Sequence, residues 1–479
     1  MKKPGRLLIL MAVLALAFFL FALLGHGSRT KRILREYKAE LRARGEKLTY
    51  AELKSSYANN LDRFLPAFTN ATGRLRQVPL QPGLLELRHF VAPGTARVLW
   101  SASSPANTIS WDEFRSELAL NQRSLDEIRE ALKATPADSG SRTGLAKMPV
   151  FRILSSSRNA AHWLSAEIIA DLHDHNLQAA LQNLVALTSL AQFNRDEYTL
   201  GSQMIRVAIA RLGLMATWEA LQAPGWTDAE LAQLQRSWEA LDLVEAVEKG
   251  FLGERAFAVE LWSMIRNTRS SQIRTAVFNW PSHEASLDDL LDDYVVFPAH
   301  RMTSFDDDEL FHLRSMQQSL VSIRLIKSHR PWNEARRGLD NTLIEITRIA
   351  NSPAWFRYYF SLLSIPNLPK PGNVGVRAET ERQMTIAAIA IARHKLRYGR
   401  PPMELSALLP EFVSSVPFDC MSGNAIGYRL KDDRTFVLYS VGEDGNDDGG
   451  DPQSASRGKF DLWDGKDAVW PAAAGSGKR

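Results

Sequence analysis

The sequence predicts a mainly α-helical chain in three parts. These are an N-terminal transmembrane helix, a large all-α helical domain, and a small α+β C-terminal module built around a β-hairpin. Three observations predict this. Residues 7–24, LLILMAVLALAFFLFALL, are eighteen apolar residues without a charge. Across residues 28–364 apolar side chains recur at helical spacing, with helix-start and helix-stop residues between them. Near the C-terminus two strand-forming runs, 425–430 and 435–440, flank the polar tetrad Lys431-Asp432-Asp433-Arg434, the pattern of a hairpin.

The first part is residues 1–27. At a 1.5 Å rise per residue the apolar run spans roughly 27 Å, about one hydrocarbon core. A cleavable signal peptide has a shorter apolar core and a small-x-small exit. Here the exit is Leu24-Gly25-His26-Gly27, so an uncleaved signal-anchor is expected, with the lipid bilayer as partner of residues 7–24. Lys2, Lys3 and Arg6 precede the run, and Arg29, Lys31, Arg32, Arg35 and Lys38 follow it. Basic residues on both sides blunt the positive-inside rule, and long domains translocate regardless of them. The expectation is a single pass through the inner (cytoplasmic) membrane with the bulk of the chain extracytoplasmic. The alternative topology leaves the bulk in the cytoplasm.

The second part, residues 28–364, is read as a packed helical domain. Three capping boxes mark helix starts: Thr49-Tyr50-Ala51-Glu52, Ser110-Trp111-Asp112-Glu113 and Thr227-Asp228-Ala229-Glu230. Segments 176–193 and 198–222 carry helical periodicity, the latter stopped by Pro224-Gly225. His162, His173 and His175 lie close to Asp171 and Asp174. Yet His173 and His175 are two apart and would face different sides of a helix, so a helix end turning at Asn176 is the simpler expectation. Residues 353–366, PAWFRYYFSLLSIP, predict a core-facing aromatic helix; the alternative is a partner or membrane contact. Residues 365–375, IPNLPKPGNVG, read as a Pro-rich linker.

Composition narrows the function. The 479 residues include 58 basic and 54 acidic ones, a net charge of +4, too slight for a nucleic-acid footprint. The single cysteine, Cys420, excludes an intrachain disulfide and any multi-cysteine metal site. The sequence contains no HExxH, Gly-x-Ser-x-Gly, Walker or dinucleotide motif.

The third part, residues 376–479, opens with a helix over 378–398, stopped by Gly399 and Pro401-Pro402. After the hairpin comes GEDGNDDGGDP, residues 442–452, with Glu443, Asp444, Asp447, Asp448 and Asp451 and no basic residue. Such crowding of like charge favours a bound cation or intervening water. Asp444 to Gly449 match the opening of an EF-hand loop, but Ala455 stands at its twelfth position, Pro452 at its ninth, and a strand precedes it. The order Leu396-Arg397-Tyr398-Gly399-Arg400-Pro401-Pro402, Leu408-Leu409-Pro410-Glu411-Phe412, Val416-Pro417-Phe418-Asp419, Gly427-Tyr428 and Leu438-Tyr439-Ser440-Val441-Gly442-Glu443-Asp444-Gly445 resembles the C-terminal half of the type II secretion major pseudopilin. The resemblance covers roughly residues 380–452, about 15% of the chain.

The resemblance implies a structural Ca2+ held by the carboxylates of Asp444 and Asp451 and the main-chain oxygens of Val441 and Gly449. Pro452 stands where the family has a further acid, and Asp447 or Asp448 would substitute. The N-terminus departs from the family: Lys3-Pro4-Gly5-Arg6-Leu7 is not a pilin processing site, and no Glu follows early in the apolar run. The layout as a whole is similar to membrane-anchored proteins of planctomycete and verrucomicrobial bacteria, a likeness that brings no activity with it. The expected function is therefore a non-enzymatic scaffold or binding role in the cell envelope, with an envelope protein as partner and no nucleic acid. The alternative is an extracytoplasmic hydrolase with its site in the helical domain.

Overall fold

The computed structural model describes residues 29–53, 61–75, 111–133, 150–193, 195–268, 291–365, 368–453 and 462–470. The expected anchor, residues 7–24, lies outside them, as does Ser110 of the second capping box. Among the described residues no helix is long and apolar enough to cross a membrane.

The described chain is mainly helical. Helix α1 covers residues 29–43, followed by α2 (Tyr50–Leu53), α3 (Leu61–Arg74), α4 (Trp111–Lys133), α5 (Val150–His173) and α6 (Leu177–Phe193). Then come α7 (Leu200–Ala220), α8 (Asp228–Glu239), α9 (Leu243–Asn267), a π-helical turn (Asp292–Val296), α10 (Phe297–Thr303), α11 (Phe305–Lys327) and α12 (Trp332–Ala350). A 3-10 turn (Pro353–Tyr358), α13 (Tyr359–Ser364) and α14 (Pro369–Tyr398) lead to three short strands, β1 (Gly427–Leu430), β2 (Phe436–Ser440) and β3 (Ala468–Val469). The strands form one antiparallel sheet in the order β1-β2-β3, with Gly427 opposite Tyr439 and Ser440 opposite Ala468.

The local start and stop signals act as their chemistry dictates. Thr227 accepts from Glu230 N while the Glu230 carboxylate accepts from Thr227 N, a complete capping box on α8. At the first box Glu52 N donates to Thr49 Oγ1 at 3.2 Å, but the Glu52 carboxylate reaches Leu48 N rather than Thr49 N. Helix α5 ends at His173, His175 takes a positive φ of 58°, and Asn176 Oδ1 accepts from Ala179 N to open α6.

One boundary differs from the sequence reading. Residues 369–375, read as part of a linker, form the first two turns of α14. Pro369 and Pro371 occupy the first turn, where the missing N–H groups have no intrahelical acceptor to lose. Gly375 lies against Val247; a Cβ there would come within 2.0 Å of a Val247 methyl. It marks a close helix crossing rather than a break.

The chain divides into two compact units. The first combines residues up to 54 with 251–320 and 338–368. One of its cores joins Leu34 and Leu41 of α1, seven residues apart and so on one stripe, to Leu48, Leu310 and Leu313. Another gathers Trp262, Phe297, Phe305 and Phe360, with Phe360 buried and Trp355 exposed in the aromatic stretch. The second unit combines residues 55–250, 321–337 and 369–479. Its core runs from Phe68 through α4–α8 to α14, and on to Leu408, Leu438 and Trp470. The C-terminal module thus shares one core with the helices of this unit.

Candidate functional site

The acidic loop leaves β2 at Val441 and returns near β3. Two backbone hydrogen bonds close it, Asp467 N to Asp451 O and Lys466 N to Gln453 O, both 3.0 Å. At its centre is Asp467, fully buried. Its carboxylate accepts from Gly450 N at 2.6 Å, Asp451 N at 3.1 Å and Asp448 N at 3.4 Å. Burial pushes the Asp467 carboxyl up, against the opposing pull of those three N–H groups. Gly450 has φ of 80°, and a Cβ there would meet Val437 at 2.7 Å. Glycine is what lets the loop turn back over β2 and present its N–H to Asp467.

The candidate ligands are each held by protein groups. Asp444 Oδ1 accepts from Asn446 N at 3.0 Å, and the Asp444 carbonyl accepts from Asn333 Nδ2 at 3.0 Å. Asp447 Oδ1 accepts from Tyr439 Oη at 3.0 Å and Gly449 N at 2.9 Å. Burial and the Asp447 charge push the Tyr439 hydroxyl up to about 12. Asp451 accepts from Gln453 N at 3.0 Å and pairs with Lys466 at 3.0 Å, which together hold its carboxyl below the usual range. Asp448 contributes its N–H to Asp467, and Val441 N donates to Asp419 at 3.1 Å. Burial works against ionisation of Glu443, but Arg377, with Nε at 2.5 Å, outweighs it and holds the carboxyl low.

Among the described residues, no group of three or more His, Cys, Asp or Glu is placed to hold one ion. The loop gathers Asp448, Gly450 and Asp451 around Asp467 through their backbone N–H groups. The carboxylates of Asp444 and Asp451 do not meet, so the donor set implied for calcium is not assembled in this arrangement.

The helix-end histidines do not form a shared centre either. Asp171 Oδ2 accepts from Asn183 Nδ2 at 2.8 Å, and Asp174 pairs with Arg115. Burial drives the Asp171 carboxyl up to about 6.

No protein-family model, curated protein or solved structure matches this chain.

Several buried polar groups have no sequence signature. On α14, Glu379 accepts from Leu243 N at 3.0 Å and from Arg382, whose Nη1 donates to Trp238 O at 2.8 Å. Glu381 accepts from Nε and Nη2 of Arg211, at 3.0 and 2.9 Å, and from Trp463 Nε1 at 2.8 Å. Asp419 accepts from Ser440 Oγ at 2.7 Å and Met421 N at 2.9 Å, fixing the end of β2. In the first unit Asp308 lies 3.0 Å from His300, both fully buried, and accepts from Phe360 N and Ser361 N. Partners 136 or 170 residues apart leave no pattern in a local window. Asp467 has a weak one: a lone carboxylate flanking the apolar run Ala468-Val469-Trp470.

Proposed function

We propose that this chain is a single-pass, membrane-anchored scaffold or binding protein of the cell envelope, its bulk outside the inner membrane and its action non-enzymatic. The observation that carries the reading is the spacing between anchor and folded unit. The charge-free run ends at Leu24, and α1 begins at residue 29 with Leu34 and Leu41 already in a core. Five extended residues reach at most about 18 Å. The first unit is therefore held at the bilayer surface. In the second unit, the polar groups buried on α14 are engaged in bonds between helices, which suits a rigid support. An envelope protein is the proposed partner.

The calcium assignment is part of the proposal, carried by the density of carboxylates and the resemblance to the pseudopilin module. Binding requires Asp451 to release Lys466 and Asp444 to turn from Asn446. The test is calorimetric titration of the full chain in a neutral detergent. The reading expects saturable heat at the millimolar affinity common outside the cell, lost in Asp451→Asn. Absence of heat, with no change in melting temperature at millimolar calcium, removes calcium from the account and leaves the anchor reading standing.

A further inference from the structure

The first unit contains an open cavity of about 800 Å³, bounded by α1, α11, α12 and the 3-10 turn at Pro353–Tyr358. That is within the size range of small-molecule sites. Three guanidinium groups line it: Arg29, Arg314 and Arg357. Two carboxylates line it as well, and both are matched. Asp307 pairs with Arg357 at 3.1 Å and accepts from Thr30 Oγ1 at 2.9 Å, while Glu345 faces Arg348 at 4.0 Å. Arg29 and Arg314 have no carboxylate partner among the described residues; Arg314 lies over the Tyr37 ring at 5.5 Å. The lining therefore carries one more positive than negative charge, with Arg29 and Arg314 both exposed and the side-chain amide of Asn341 beside them.

We propose that this cavity binds a phosphate-bearing anion, with Arg29 and Arg314 as its principal contacts. Guanidinium groups suit this ligand because their N–H pairs match two phosphate oxygens at once. Arg357 is held in place by Asp307, so a third guanidinium is oriented before the ligand arrives. Asp307 is already engaged by Arg357 and Thr30, so its charge is offset inside the protein rather than left to oppose an anion. Two sources supply the same chemistry: a free phosphorylated solute, and the headgroup of an anionic phospholipid. The headgroup source rests on the membrane reading, because Arg29 follows the apolar run by only five residues; the free-anion source does not.

The test uses the full chain in dodecyl maltoside at low salt. It is titrated with inorganic phosphate, and separately with phosphatidylglycerol or phosphatidylcholine in mixed micelles. Melting temperature and calorimetric heat are read. Saturable binding of phosphate assigns a free anion. Binding of phosphatidylglycerol but neither phosphate nor phosphatidylcholine assigns the headgroup. In either case Arg314→Gln and Arg29→Gln each weaken binding about tenfold. Arg44→Gln, which removes an exposed pair with Glu40 just beyond the end of α1, leaves it unchanged. Arg29→Gln and Arg314→Gln break no ion pair among the described residues, so both variants are expected to fold. No saturable binding of any anionic probe, or native affinity in both variants, overturns the proposal. Because the readout is made in detergent, its failure leaves the anchor untouched, and failure of the anchor leaves the phosphate arm intact.

Discussion

Replacing Asp467 with alanine is expected to loosen the acidic loop and lower the stability of the second unit. The native carboxylate holds three loop N–H groups, two of them at 2.6 and 3.1 Å and one longer at 3.4 Å. A hydrogen bond to a charged acceptor contributes ~1.5–3 kcal/mol net, so the two short bonds account for about 3–6 kcal/mol. Removing the carboxylate also relieves the desolvation that pushes its pKa up, which places the expected loss near the lower end, about 3 kcal/mol. For a unit of roughly 320 residues the unfolding entropy is about 0.7 kcal/mol/K, so the melting temperature falls by ~4–5 °C. Asp467→Asn keeps one acceptor oxygen and is expected to lose about half as much. The assay is calorimetric melting of the full chain with calcium chelated, paired with limited proteolysis at residues 442–453. Melting of Asp467→Ala within about 1 °C of native, with unchanged cleavage, would refute the view that this side chain closes the loop.

Three further outcomes are expected. Asp171 has a folded pKa of about 6 against 3.8 for an ordinary aspartate, so the native state keeps its proton between those values while the unfolded state releases it. Stability from this group falls as pH rises from about 4 to 6, and Asp171→Asn should gain ~1–2 kcal/mol at pH 7 and none at pH 4 in urea unfolding. His312 runs the other way. Burial lowers its pKa from 6.5 to about 4, so stability is lost as pH falls through that window, and His312→Leu should flatten the acid limb by up to ~3 kcal/mol. Glu381→Ala strips Arg211 and Trp463 of their acceptor and is expected to cost ~2–3 kcal/mol, measured by the same unfolding assay, with a loss below 0.5 kcal/mol contradicting the network.

Local chemistry was legible in the sequence where the interaction is local. The Thr227 capping box, the stop at Gly399, the turn at Asn176 and the hairpin turn at Lys431–Arg434 all involve partners within a few residues. Composition misled at 369–375, where prolines at a helix start and a glycine at a crossing look the same as a linker until Val247 is in place. Part of the loop was legible too: its position after β2 and its glycines are written in residues 442–450. Its organiser was not, because Asp467 acts from sixteen or more residues away through backbone N–H groups that carry no side-chain identity. The same holds for Glu381 with Arg211, and for the arginines of the cavity, which come from separate helices.

The most direct test of the central claim is alkaline carbonate extraction of membranes, combined with protease treatment of intact spheroplasts. The full chain is expected to stay in the membrane pellet and to be digested from outside, while deletion of residues 7–24 releases it to the soluble fraction. Release of the full chain by carbonate, or protection of its bulk until the membrane is ruptured, would contradict an extracytoplasmic protein anchored by that segment.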